Sequence, residues 1–255
     1  MNRIQLQNRS SVQSQVPEVE LEGGLFTAAR DSAGPHTLFA PLHYERNYAY
    51  PLIIWLHGQG GDECQLRRIM PLISLRNYVA VAPRGTRPGT VSRGFCWDAG
   101  EAGMAAATQR VFDSIDAASE RFHIASHRVF LAGFECGGTM AFRIALQYPH
   151  FFAGALSVGG PFPTDGKPLA SIRQARRLPL FIAQGRDSRE YSLDRTCSEL
   201  HLFHAAGLSV TLRQYPCGDE LNTQMLHDMD VWIMEQVTGI PAETTTADPG
   251  QFDLN

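Results

Sequence analysis

Apolar positions along this chain fall into two alternating rhythms. Short, continuous runs rich in β-branched and aromatic residues recur at Thr37–Ala40, Leu52–Leu56, Tyr78–Ala82, Arg128–Ala132, Ala153–Val158, Leu180–Ala183 and Ser209–Gln214. Runs of that kind predict strands buried on both faces. Between them, Asp62–Leu75, Glu101–Arg121, Cys136–Tyr148, Ser192–Ala206 and Glu220–Val237 carry apolar residues at helical spacing. Strands alternating with helices predict a mostly parallel sheet covered on both sides. The punctuation agrees: Tyr148-Pro149 stops one helix, Gly207 caps another, and the stretch from Pro161 to Gly166 is a loop. The insertion from Gly159 to Arg177 is too short for a large cap domain, which leaves the expected site open and shallow. Residues 1–17 and 241–255 are too polar to offset their ordering entropy and read as a flexible arm and a disordered tail, with one domain at 18–240.

The totals add exclusions. A length of 255 residues suits one α/β domain. A net charge of -4 carries no footprint for nucleic acid. The start has no apolar core of a secretory signal, and no later run approaches membrane-spanning length. Five cysteines with no CxxC pair suit a reducing compartment, so the cytoplasm is the expected location. No cofactor motif is present, and nothing in the pattern indicates an oligomeric state.

The most informative stretch is Val129-Phe130-Leu131-Ala132-Gly133-Phe134-Glu135-Cys136-Gly137-Gly138. An apolar strand, a tight Gly-x-x-x-Gly turn and a helix form a nucleophile elbow, which pushes one side chain out above the sheet. Here that side chain is Glu135. With it go Leu52-Ile53-Ile54-Trp55-Leu56-His57-Gly58-Gln59-Gly60-Gly61-Asp62, then Phe181-Ile182-Ala183-Gln184-Gly185-Arg186-Asp187-Ser188, then Tyr215-Pro216-Cys217-Gly218-Asp219-Glu220-Leu221. On these segments, over about residues 20–238, the chain resembles the α/β-hydrolase superfamily, and within it the small carboxylesterase/phospholipase branch that includes acyl-protein thioesterase-like enzymes.

The resemblance implies a compact α/β-hydrolase fold with about seven or eight strands. It assigns the His57-Gly58-Gln59-Gly60 turn and the amide of Cys136 to an oxyanion hole, Glu135 to the serine slot and Asp219 to the histidine slot. The acid slot falls on Ser188 by counting from Gly185, or on Asp187 if the loop shifts. His57 reads as a loop organiser, and Cys136, one position past the apex, as a small buried residue. Cys64 and Cys217 flank the other site loops without matching a zinc motif.

These substitutions remove ordinary triad chemistry. An imidazole of pKa about 6.5 takes and returns a serine proton, whereas an aspartate of pKa about 3.9 is a poor base. His227, eight residues into the next helix, is about 12 Å away at about 1.5 Å per residue. If Glu135 and Asp219 face each other, they share a proton or hold a cation between them, with Asp187 as a third oxygen ligand. The alternative is that backbone amides of the former oxyanion hole, or Arg84, Arg93 or Arg186, cap the carboxylates. Two functions follow from the resemblance. One is a pseudo-hydrolase binding a small molecule, a cation or a protein partner; the other is a carboxylesterase or thioesterase of unusual mechanism.

Overall fold

The computed structural model describes residues 25–31, 34–88, 94–165 and 172–241. The arm expected at 1–17 lies outside them, as does the expected tail beyond residue 241. Among the described residues ten strands form: β1 (Phe26–Asp31), β2 (Gly34–Phe39), β3 (Tyr50–Leu56), β4 (Val79–Pro83), β5 (Arg87–Pro88), β6 (Phe95–Cys96), β7 (Ile124–Phe134), β8 (Gly154–Val158), β9 (Leu180–Gly185) and β10 (Val210–Tyr215). The helices are α1 (Leu66–Ile73), α2 (Glu101–Arg121), α3 (Cys136–Gln147), the short α4 (Ile172–Ala175), α5 (Leu193–Ala206) and α6 (Thr223–Thr238). Eight strands make one sheet in the order β1-β2-β4-β3-β7-β8-β9-β10, and β5 and β6 pair separately. From β4 to β10 every neighbour is parallel, while β1 and β2 attach antiparallel at one edge. This is the α/β-hydrolase architecture.

The parity of β3 explains why its sequence is apolar throughout. Leu52, Ile54 and Leu56 enter the core under α2 and α3, whereas Ile53 and Trp55 enter the core under α1 and α6. On β7, Val129 and Leu131 take the first side, and Phe130 and Ala132 the second. With both faces covered, polar residues on the inner strands are few, and Ser157 of β8 and Gln184 of β9 are buried with hydrogen-bond partners of their own.

Departures from the sequence expectation have local causes. Strand β7 runs beyond Arg128–Ala132 at both ends, because Ile124 pairs with Tyr50 and Phe134 with Val158. The last helix starts at Thr223 and not Glu220, because the Asn222 side chain accepts from the Gln224 amide and caps it. The Asp62–Leu75 segment splits into a 3-10 turn at Glu63–Gln65, capped by Asp62, followed by α1. Strand β1 was not anticipated: Phe26–Asp31 lies at the sheet edge and carries few apolar residues. Among the described residues, no helix is long and apolar enough to cross a membrane.

Candidate functional site

At the carboxyl end of β7 the backbone turns through Glu135, whose φ of 48° and ψ of -121° lie where side chains are strained. Two residues to either side of it, only glycine fits. A Cβ on Gly137 would stand 2.2 Å from the Leu56 carbonyl, and one on Gly133 2.4 Å from the backbone of Gly137. The Glu135 amide donates to the Val158 carbonyl (2.8 Å), which fixes the turn to β8. The apex therefore has the backbone of a nucleophile elbow and projects a carboxylate.

The facing loop is held by His57. Its Nε2 accepts from the Gly85 amide (2.8 Å), so Nδ1 carries the proton and donates to the Gly58 carbonyl (2.8 Å). Burial pushes the imidazole pKa down and keeps the ring neutral. His57 thus organises the turn and does not face the cleft as a base. The indole of Trp97 donates to the His57 carbonyl (2.9 Å), and Gly60 and Gly61 exchange hydrogen bonds with Phe95 of β6.

That loop aims the Gln59 amide at Glu135 Oε2, at 3.1 Å. The same oxygen lies 2.7 Å from where a Cβ on Gly58 would be. The carboxylate of Glu135 therefore rests against the backbone that the resemblance assigned to the oxyanion hole. Burial raises the Glu135 pKa; the Gln59 hydrogen bond lowers it, and the charges of Asp219 and Glu190 raise it further. Cys136 Sγ lies 3.8 Å from the Gln59 side-chain oxygen. Burial, followed by the neighbouring Glu135 charge, pushes that thiol up to about 12, which leaves it a poor nucleophile.

Across the cleft, the slots for acid and base stay in contact with their roles exchanged. The Ser188 hydroxyl donates to Asp219 Oδ1 (2.5 Å), and the amides of Arg189 (3.1 Å) and Glu190 (3.3 Å) donate to the same carboxylate. Burial alone would raise the Asp219 pKa, but the Ser188 hydroxyl and these two amides outweigh it and hold the group below its ordinary value. Of the two residues offered for the acid slot, Ser188 touches Asp219. Asp187 does not: its side chain is 71% exposed and lies 4.0 Å from Arg186, facing solvent. Behind this corner the Tyr191 amide donates to Ser188 Oγ (2.9 Å), while the Tyr191 hydroxyl donates to buried Glu199. Arg195 pairs with Glu199 at 3.0 Å.

The two carboxylates share a space without sharing a bond. The charge of Asp219 is felt at Glu135, yet each is held by its own loop. Among the described residues, no group of three or more His, Cys, Asp or Glu side chains could hold a metal ion, so Glu135, Asp219 and Asp187 do not gather as ligands. Neither Arg84 nor Arg186 pairs with Glu135 or Asp219 among the described residues, although the Arg189 charge helps to lower the Asp219 pKa. Arg84 forms a two-pronged pair with Glu63 (2.7 and 2.5 Å) under the Phe95 ring, Arg186 sits beside Asp187, and Arg93 is outside the described residues. Backbone amides do the capping. The Glu63–Arg84 and Tyr191–Glu199 pairs were missed from sequence; the signal available for Arg84 was its place just after a strand, where loops converge.

Fold and elbow define an α/β-hydrolase, and the comparisons narrow the class. The chain belongs to the phospholipase/carboxylesterase family, whose profile matches residues 43–236. NocK of Nocardia uniformis subsp. tsuyamanensis, which carries the name of an esterase, is 29% identical over 148 residues. That match covers 53% of this chain and only 39% of NocK, so the chain spans well under two thirds of that relative's length. Among solved structures, the fold is similar to a carboxylesterase from Mesorhizobium loti, with a TM-score of 0.65 at 21% identity over 83% of this chain and 99% of that one. It is similar to SOBER1 of Arabidopsis thaliana (0.62, 21%, 74% and 100%) and to acyl-protein thioesterase 2 of Zea mays (0.63, 17%, 79% and 98%).

Proposed function

We propose that this chain is a non-hydrolytic member of its family, retaining the scaffold and a polar cleft that binds a small molecule or a protein partner. The observation that carries this reading is the Glu135 carboxylate on the Gln59 amide. A tetrahedral oxyanion would need that donor, aimed where charge develops; here a resident anion holds it. The apex offers no hydroxyl to attack with, and the residue across from it, Asp219, is a carboxylate held by donors and not an imidazole that can exchange a proton. Residues 18–240 would form the working domain, and a cytoplasmic setting suits five free cysteines.

The second reading is an esterase or thioesterase working through Glu135. It draws on the names of the relatives and on the raised pKa of that residue, which suits a group that exchanges protons. A panel of short p-nitrophenyl esters and thioesters, together with a fluorophosphonate probe, separates the two. The binding reading expects no labelling and no turnover above the solvent rate. Hydrolysis that survives purification and disappears in Glu135→Gln overturns it.

A further inference from the structure

At the opposite, amino-terminal ends of the strands lies a half-open cavity of about 240 Å³. The seven residues of β3, at about 3.3 Å each, put it about 20 Å from Glu135. Its lining includes Glu45 and Tyr48 from the loop entering β3, Tyr50 at the start of that strand, Arg76 from the loop entering β4, and Met234 and Val237 from the end of α6. The candidate site uses none of them.

The loop that builds this cavity is pre-shaped. His43 adopts a φ of 59°, one of two positive values among the described non-glycine residues, the other being the elbow. Leu42 donates to the Leu75 carbonyl (2.7 Å), and the Tyr48 amide closes a turn on the Glu45 carbonyl (3.1 Å). The Glu45 amide bonds the Tyr50 hydroxyl (3.2 Å), and Tyr44 stacks on Tyr50 at 5.3 Å. Tyr50 is 6% exposed and forms the floor; Tyr48, 47% exposed, stands edge-on to it at 4.7 Å as a wall. Opposite charges line the same space, yet neither the Glu45 carboxylate nor the Arg76 guanidinium enters an ion pair among the described residues.

From this arrangement we infer that the cavity binds a small zwitterion with a large apolar side chain, an aromatic amino acid in chemical class. Arg76 receives the carboxylate through its paired N–H groups, Glu45 the ammonium, and Tyr48, Met234 and Val237 the apolar body. A ligand lacking one charge leaves one rim group without its counterpart, and a ligand lacking the apolar body leaves the aromatic wall wet. The inference is independent of the reading of the cleft around Glu135.

The test is isothermal titration calorimetry of the full chain with L-tryptophan, tryptamine and 3-indolepropionate. L-Tryptophan should bind with a Kd of about 1 mM or tighter, and each single-charge analogue about tenfold more weakly. Arg76→Ala and Glu45→Gln should each reduce L-tryptophan binding by about tenfold, while both variants keep the parent unfolding temperature because both side chains are exposed. In NMR spectra, the ligand-induced shifts should fall on Tyr48, Met234 and Val237 and spare Glu135. No binding at about 10 mM L-tryptophan, equal binding of all three ligands, or undiminished binding by the double variant would each overturn the assignment.

Discussion

The two halves of the cleft hold the same functional group under opposite conditions. On the β3/β7 side, Glu135 sits on a strained apex, receives a single amide hydrogen bond, and has its pKa raised by burial. On the β9/β10 side, Asp219 gathers a hydroxyl and two amides and has its pKa lowered. The direction in which a carboxylate's pKa moves is thus set by the balance between its burial and the donors turned toward it, and not by its slot in the family pattern. The contrast also separates frame from chemistry: His57, Trp97 and the elbow glycines brace the turns through backbone contacts, whatever side chain the apex carries.

The largest expected effect comes from breaking the frame. His57→Ala removes a buried ring bonded at both nitrogens and leaves the Gly85 amide unpaired. It should lower stability by about 2–4 kcal/mol, read by chemical denaturation at neutral pH. Next is Asp219→Ala, which strands the donors of the 188–190 loop. Because that corner is partly exposed, the loss should be about 1–2 kcal/mol. Its pH dependence has a definite sign: a depressed folded pKa gives stability that is present above the unfolded value and lost as pH falls through the folded one. The advantage of the parent over Asp219→Asn should therefore vanish in acid.

Glu135→Gln should behave in the reverse sense. A raised folded pKa favours the native state below the unfolded value, and that contribution is lost as pH rises through the folded value. The variant should match the parent in acid and equal or exceed it at neutral and alkaline pH, by up to about 1 kcal/mol in thermal melts. Parallel pH profiles for the two variants would erase the contrast between the halves. The smallest effect concerns thiols. Exposed Cys197 should react with a disulfide reagent at pH 8 well before Cys136, whose thiol is pushed up to about 12. Equal rates would mean that the elbow side is more open than its hydrogen bonds imply.

Much of this was legible in the residues themselves. Continuous apolar runs marked the inner strands because both faces of the sheet are covered, and Glu101–Arg121 proved helical over its whole expected span. The glycines of the elbow told where side chains cannot fit. Strand β1 was illegible because an edge strand needs backbone partners more than apolar side chains. Whether Asp187 or Ser188 meets Asp219 could not be read either. It depends on the Asp187 amide bonding the Cys217 carbonyl (2.9 Å), a contact between the loops that leave β9 and β10 that no local pattern encodes. The orientation of Glu135 depends in the same way on a loop 76 residues distant in sequence.

One packing detail reaches further. A Cβ on Gly94 would fall 2.0 Å from the Gly60 carbonyl, and the two backbones are laced together there through Phe95. The 57–61 turn and the β6 strand consequently behave as a single stiff bulkhead. Whatever approaches the apex carboxylate cannot widen its berth from that flank without tearing main-chain bonds, so adaptation to a guest falls to the opposite bank, where one side chain, Asp219, gathers the 188–190 turn.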